Sequence, residues 1–149
     1  MVLHFDTGAA VDDALREGMG RAALAAGGSV EAARAPRLVV VCFADAWAPP
    51  AMATASTVQA VRSGGEVGAI ANLFVLDAFE ERERAWELSV TSTPATFFWW
   101  DGHLLPVRRP GWEDDNKICG ALAVTQLLEI VRHARSTCGG DGGALALDF

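Results

Sequence analysis

Residues 38–52 read LVVVCFADAWAPPAM, and this stretch decides the fold. It opens with the apolar, valine-rich run LVVVCF, which predicts a strand buried on both faces of a sheet. Pro49 and Pro50 then fix φ and remove two N–H donors, which suits a loop that leads into the first turn of a helix. We therefore predict a central strand, a loop around Trp47 and a helix over residues 51–62.

The rest of the sequence alternates helices and strands on both sides of this unit. The predicted helices cover residues 11–26, 51–62, 79–88 and 118–135, and the predicted strands cover residues 38–43, 69–76, 95–100 and 103–107. Asp101 and Gly102 are a hairpin signal between the last two strands, and Pro106 indicates a sheet edge. The pattern is also compatible with a short first strand at residues 2–5. We predict an α/β fold with a mixed central sheet and helices on both faces.

The length and composition fit one domain with a hydrophobic core. The chain has 149 residues, of which 51% are hydrophobic. We assign residues 1–135 to this domain and residues 136–149 to a mobile, Gly-rich tail. No apolar run reaches the ~18 residues that cross a bilayer, and residues 1–6 lack the basic and apolar regions of a signal peptide. We therefore expect a soluble intracellular protein without a membrane partner.

The charge of the chain disfavours nucleic acid as a tightly bound direct ligand. The formal net charge is −7, and a surface of that sign repels phosphate. In one of the few basic spots, Arg82 and Arg84 alternate with Glu80, Glu81 and Glu83, so their fields largely cancel. We interpret this segment as the solvated face of a helix. The acidic balance fits a partner that is another protein.

The cysteines and histidines are scattered and few. Cys42, Cys119 and Cys138 form neither a disulfide framework nor a metal-ligand spacing, and the three histidines are equally dispersed. We therefore predict no metal and no cofactor. Cys42 lies in an apolar strand, where burial raises the pKa of a thiol and makes it inert. An enzyme that uses Cys119 or Cys138 is an open but weak alternative, because neither has a nearby histidine in the sequence.

Three landmarks together resemble the thioredoxin fold. Trp47 directly precedes the loop that starts a helix, where redox-active thioredoxins carry Trp-Cys-Gly-Pro-Cys-Lys. Thr93 and Pro94 precede a bulky strand and an Asp-Gly turn, where thioredoxins place a cis-proline that faces the active-site loop. The third landmark is the last predicted helix, which we expect to pack on the sheet. The resemblance covers nearly the whole chain and implies a single thioredoxin-like domain.

The same resemblance implies that the redox chemistry of the family is lost. Ala48 and Ala51 stand where redox-active members carry their two cysteines, and disulfide exchange needs a thiolate and a resolving thiol. Cys42 stands where those members bury an acid that accepts a proton. We therefore expect that this protein is not an enzyme.

A narrower resemblance is to the Dim/Dib family of thioredoxin-like proteins, which belong to the spliceosomal tri-snRNP. Trp47, Pro49 and Met52 fall on the Trp-Asp-Pro-Thr-Cys-Met loop of that family. Residues 93–98, TPATFF, are similar to the Ile-Pro-Ser-Thr-Val-Phe of its second branch. Residues 114–118, DDNKI, resemble the Asn-Asn-Asn-Lys-Ile that precedes its last helix.

The narrower resemblance implies a nuclear, non-catalytic component of the tri-snRNP that acts in pre-mRNA splicing. Its partners would be large splicing proteins, and contact with snRNA or pre-mRNA would be indirect or limited. The alternative is a redox-inactive adaptor or peptide-binding module outside the spliceosome, and neither function implies a small-molecule substrate. The residues that we assign to partner binding are Trp47, Pro49, Pro50, Met52, Thr93, Pro94, Trp112, Asn116 and Lys117.

Overall fold

The computed structural model of the protein describes residues 5–25, 38–45, 47, 49–63, 71–108, 117–120, 122–141 and 145–146. Within these residues the helices are α1 (Gly8–Ala25), α2 (Pro49–Ser63), α3 (Arg82–Glu87) and α4 (Val124–Asp141). The strands are β1 (Leu38–Ala44), β2 (Ala71–Asp77), β3 (Ala95–Trp100), β4 (His103–Leu104), β5 (Val107–Arg108), β6 (Ile118–Cys119) and β7 (Leu145–Ala146).

The valine-rich strand β1 lies inside a mixed sheet with the order β2-β1-β3-β4. β2 runs parallel to β1, with Val75 opposite Cys42, and β3 runs antiparallel to β1, with Thr96 opposite Cys42. β6 also pairs with β3, antiparallel, and β5 and β7 form a separate parallel pair. The predicted α/β class with a mixed sheet is confirmed.

Alternate residues of β1 build a hydrophobic core on each face of the sheet. One core lies under α2 and α4 and includes Val40 and Leu127, both fully buried. The other lies under α1 and α3 and includes Val41 and Val11. Burying such an aliphatic side chain contributes about 1.5–3 kcal/mol to the free energy of unfolding. The two cores hold helices on both faces, as the sequence predicts.

α1 begins earlier than residue 11 because Thr7 caps it. The Thr7 hydroxyl accepts a hydrogen bond from the Ala10 N–H at 3.2 Å, which satisfies one of the free donors of the first turn. The helix ends at Ala25, and the glycines that follow lie outside the described residues.

A polar cluster fixes the start of α1 to α3. The Gly8 N–H donates to Glu81 Oε1 at 2.9 Å, and the Arg84 guanidinium donates to the Gly8 carbonyl at 3.3 Å and to Asp12 Oδ2 at 2.9 Å. A Cβ atom at residue 8 would lie 2.6 Å from Glu81 Oε1, so a larger residue would push the Glu81 carboxylate away from this position. We call Gly8, Asp12, Glu81 and Arg84 the α1–α3 clamp. The prediction of a solvated helix face is wrong for Arg84, whose side chain is only 24% exposed.

The predicted helix at residues 118–135 is wrong at its start. Ile118 and Cys119 instead form β6, which pairs with β3 and buries Ile118 in the core. Gly120 follows with a φ of 99°, a conformation that favours glycine and that does not occur in a right-handed helix. Pairing with a distant strand therefore overrides the helical spacing of the apolar residues.

α4 begins with a side-chain cap and ends later than predicted. The Ala123 N–H, at the start of the helix, donates to Gln126 Oε1 at 2.9 Å. The helix continues to Asp141, so the predicted division at residue 135 lies inside it. Residues 145–146 then form β7, whose partner is β5.

The predicted hairpin is present with a shorter return strand. β3 has the predicted limits, and Asp101 and Gly102 form the turn with φ values of 50° and 83°. The predicted strand at residues 103–107 divides into β4 and β5 at Leu105 and Pro106, because proline has no N–H to donate. β4 ends the strand order of the sheet, which agrees with the predicted edge.

Two other predicted elements change their limits. The predicted strand at residues 69–76 corresponds to β2, and the predicted helix at residues 79–88 corresponds to the shorter α3. Residues 69–70, and all of the open first strand at residues 2–5 except Phe5, lie outside the described residues.

The segment before α1 is fixed to the outer side of β2. The Asp6 N–H donates to the Val75 carbonyl at 2.7 Å, and the Val75 N–H donates to Asp6 Oδ2 at 2.8 Å. Arg62 of α2 donates to the same carboxylate oxygen at 2.9 Å and to the Leu73 carbonyl at 3.0 Å. These bonds satisfy backbone groups of β2 that do not face β1.

Candidate functional site

The loop after β1 presents an exposed tryptophan. The Trp47 side chain is 69% exposed, and its ring packs edge-to-face on Phe79, with centroids 6.5 Å apart. Pro49 and Pro50 are exposed and begin α2, and Met52 is half-buried in the same helix. An indole with an apolar body and an N–H donor, held at the surface by two prolines, is typical of partner contacts.

Phe79 and Trp86 extend this exposed surface along α3. Their side chains are 58% and 85% exposed. Asp77 Oδ1 accepts a hydrogen bond from the Phe79 N–H at 2.9 Å, which holds the turn before α3. The Arg82 guanidinium lies 5.4 Å from the centroid of the Phe79 ring, a cation–π distance. We call Trp47, Phe79 and Trp86 the aromatic patch.

A shallow groove of about 260 Å³ adjoins the aromatic patch. Its lining residues are Asp45, Ala78, Arg82, Ala85, Trp86, Val90, Thr91, Ser92 and Thr93. Asp45 Oδ2 accepts a hydrogen bond from the Thr93 hydroxyl at 2.5 Å, which joins the end of β1 to the loop before β3. Arg82 lines the groove and lies over the Phe79 ring, and Trp86 also lines the groove, so the patch and the groove adjoin each other.

The Thr93–Pro94 peptide bond is cis, as the resemblance implies. Pro94 is buried, and its carbonyl accepts a hydrogen bond from the Gly120 N–H at 3.0 Å. Thr93 is half-buried and lines the groove. Of the two predicted residues, Thr93 therefore lies at the surface of the groove and Pro94 lies beneath it.

Cys42, the cysteine nearest the loop in sequence, belongs to the core. It is fully buried in β1, and its thiol lies 3.9 Å from the Phe43 carbonyl. Burial raises the pKa of Cys42 to about 12, and the Thr96 hydroxyl opposes this only weakly. The prediction that Cys42 is a buried core residue with a raised thiol pKa is confirmed.

The two alanines of the loop and Cys119 are the remaining positions that the sequence singles out. Ala48 lies outside them, and Ala51 belongs to α2. Cys119 is half-buried on β6. Among the described side chains, no three His, Cys, Asp or Glu residues lie together in an arrangement that would hold a metal ion. None of the helices in this part of the chain is long and apolar enough to cross a bilayer.

The predicted partner-binding residues do not form one cluster. Trp47 and Thr93 lie at the aromatic patch and the groove. Lys117 is only 7% exposed, so its side chain is not part of an exposed surface. Trp112 and Asn116 lie outside the described residues.

The sequence analysis did not assign Phe79, Arg82 or Trp86 to the site. Their signal was two aromatic residues seven positions apart in an otherwise charged segment. That spacing places them on one side of a helix. Within α3 only Ala85 is buried, so the side with the aromatic residues is left at the surface.

Neither a protein-family model nor a curated protein matches the sequence, but solved structures do. Chloroplastic thioredoxin z superposes with a TM-score of 0.58 over 91% of this chain and 98% of its own, at 17% identity. The chain has a thioredoxin-like fold. A thioredoxin of Fasciola hepatica gives a TM-score of 0.51 at 26% identity, covering 66% of this chain and 81% of its own. A thioredoxin of Malassezia sympodialis gives 0.52 at 16% identity, covering 70% and 86%.

Proposed function

We propose that this chain is a redox-inactive thioredoxin-fold module that binds a segment of another protein without making or breaking a covalent bond. The observation that carries the proposal is the aromatic patch, which continues into the groove at Thr93. Trp86 lines the groove, the Phe79 ring lies under Arg82 of the same lining, and Trp47 packs on Phe79. Three such side chains, each more than half exposed, are unusual for a surface without a partner. Tryptophan in particular is enriched among residues that dominate binding energy.

The absence of thiols in the loop supports binding over catalysis. With alanine at residues 48 and 51, the loop has no sulfur to attack a disulfide and none to resolve a mixed disulfide. Cys42 does not compensate, because its thiol is buried and protonated. We therefore propose that the protein is not an enzyme.

The shape of the groove suits an extended peptide. It is shallow and lies between α3 and the loop that leads into β3, and the Asp45–Thr93 hydrogen bond holds that loop to the end of β1. A partner residue that packs against Trp86 would displace water from an exposed apolar surface, which is the main source of affinity at such contacts.

A peptide selection with a matched variant tests this function. Peptides selected on the wild-type protein from a random display library should lose about tenfold or more in affinity for the variant Trp47→Ala/Trp86→Ala. Val124→Ala serves as the control, because Val124 is an exposed residue of α4 on the other face of the sheet. Selected peptides that bind both variants equally well would contradict the site. Reduction of insulin disulfides by the wild-type protein would contradict the non-catalytic function.

We propose, as the finer role, that the partner is a large protein of the spliceosomal tri-snRNP, in the nucleus. Support comes from the sequence: Trp47, Pro49 and Met52 in the loop, and residues 114–118 before the last helix, resemble the Dim/Dib family. Ala48 and Ala51 depart from that family, which carries Asp and Cys there.

Affinity purification from native nuclear extract tests the finer role. We expect the bound fraction to contain the small nuclear RNAs of the tri-snRNP and large splicing proteins. The Trp47→Ala/Trp86→Ala variant should recover less of both. A folded bait that recovers neither would contradict the spliceosomal role. The peptide-binding function would then apply to an adaptor outside the spliceosome.

A further inference from the structure

The aromatic patch has an acidic border. Glu83 precedes Trp86 by three residues within α3, and at this spacing side chains of a helix are neighbours. Glu80 follows Phe79 in the turn before α3, and Glu87 follows Trp86 at the end of the helix. All three glutamates are exposed, so a bound partner meets their charge together with the aromatic rings.

The basic residues of the same segment balance only part of the charge of this border. Arg84 is used by the α1–α3 clamp, where it bonds Asp12 and lies 3.7 Å from Glu81. Arg82 lies over the Phe79 ring and donates to the Phe79 carbonyl at 3.3 Å, and it stays exposed, so it adds one positive charge beside the charges of three glutamates. Within the described part of the chain, the three border glutamates form no salt bridge.

The groove adds a further carboxylate next to the patch. Asp45 lines it beside Thr93, and it is half-buried, so its charge is less screened by water than that of a fully exposed residue. The formal charge of the whole chain, −7, has the same sign. A second copy of this chain would bring like charges together at this surface, which argues against self-association as its use.

We propose that the segment bound at this site is basic: an extended peptide in which lysine or arginine alternates with apolar residues. This inference rests on the proposed peptide-binding function and names the chemical class of the peptide. Its apolar residues pack on Trp47, Phe79 and Trp86, while its cations contact the border glutamates and lie over the Trp86 ring. Opposite charges on the peptide and on the acidic border mainly speed the association of the two and exclude acidic competitors.

Three synthetic nonapeptides test the charge class directly. They share alternating Val, Leu and Phe and carry Lys, Gln or Glu at the intervening positions, and each has a fluorescent label for polarisation measurements. We expect the Lys peptide to bind about tenfold tighter than the Gln peptide, and the Glu peptide to bind weakest. The advantage of Lys should shrink as NaCl rises from about 20 to about 300 mM, because salt screens exposed charges.

Two variants separate charge from apolar contact. Glu83→Gln/Glu87→Gln should remove most of the preference for Lys over Gln, while Glu129→Gln, an exposed position of α4 on the other face of the sheet, should leave it unchanged. Trp47→Ala, which removes an apolar contact and leaves the Trp86 ring in place, should weaken the Lys and Gln peptides alike. Equal affinity for all three peptides, or a preference for Glu, would overturn the basic class and leave the peptide-binding function standing. Selected library peptides that bind elsewhere on the protein would overturn both.

Discussion

At residue 42 a thiol lies in the middle of the sheet, between Val75 on one side and Thr96 on the other. Because burial raises its pKa to about 12, we expect a variant in which Cys42 is the only cysteine, Cys119→Ser/Cys138→Ser, to resist Ellman's reagent at pH 8. In denaturant the same thiol should react at once. Stoichiometric labelling of the folded variant within seconds would contradict a buried, neutral thiol.

The hydroxyl of Thr54 links α2 to the segment before α4. It accepts a hydrogen bond from the buried Leu122 N–H at 3.2 Å and lies 3.3 Å from the Pro50 carbonyl, to which it donates. Thr54→Val keeps the shape of the side chain but leaves the Leu122 N–H without its partner. We expect the free energy of unfolding to fall by about 1–3 kcal/mol, measured by urea denaturation.

Thr57→Val is the matched control for this change. The Thr57 hydroxyl donates to the Ala53 carbonyl at a more exposed position of the same helix, so water can replace that bond. We expect its effect to stay within about 0.5 kcal/mol. Equal effects of the two substitutions would show that the bond to Leu122 does not contribute.

At the scale of elements, the α1–α3 clamp connects two helices that are far apart in sequence. Arg84→Gln removes the donor to Asp12 and to the Gly8 carbonyl, and it leaves Glu81 without its cation. We expect a loss of about 1–3 kcal/mol in the free energy of unfolding. Arg16→Gln is the control, because Arg16 pairs with Asp13 on the open surface of α1, where an ion pair contributes about 0–1 kcal/mol.

The clamp also makes stability depend on pH. The hydrogen bond from Arg84 lowers the pKa of Asp12 below 3.8; burial opposes it with a smaller effect, and the charges of Arg84 and then of Arg16 add to the lowering. Because the folded pKa is below the unfolded one, this stabilisation is present above about pH 4 and is lost as the pH falls through the lowered pKa. The difference between the wild type and Arg84→Gln should therefore shrink below about pH 4 in urea titrations. A difference that grows in acid would contradict this assignment.

Local sequence signals predicted the elements better than their ends. The limits of β3 were predicted correctly because its six residues are all apolar or β-branched and a hairpin turn follows. The start of α4 was predicted incorrectly, because Ile118 belongs to β6 and pairs with Thr96 of β3. No residue near Ile118 in the sequence signals that partner. The α1–α3 clamp likewise joins residues more than 70 positions apart, and sequence spacing contains no information about such pairs.

The same reason explains what the sequence missed at the site. It indicated Trp47 and Thr93, because the prolines of the loop and the Thr-Pro pair are local patterns. Phe79 and Trp86 are apolar, and apolar residues in a predicted helix are usually core. They lie at the surface because α3 is short and only its Ala85 faces the sheet.

At the scale of the whole molecule, the net charge of −7 bears on the ligand class. We expect no saturable binding of a single-stranded RNA of about 20 nucleotides at about 10 µM protein in physiological salt, because few cations are present to displace counterions. A basic single-stranded RNA-binding domain of similar size is the positive control in the same gel-shift experiment. Tight, salt-dependent binding would instead point to a local basic surface.

The bonds between Asp6 and Val75 have a consequence for how copies of this protein meet. A sheet edge with free N–H and C=O groups is a template on which another chain can add a strand and begin a fibril. At Val75 both groups are already bonded to Asp6, and the Leu73 carbonyl is bonded to Arg62. An incoming strand would first have to displace a charged side chain, so the tether of the N-terminal segment also protects this stretch of β2 against edge-to-edge aggregation.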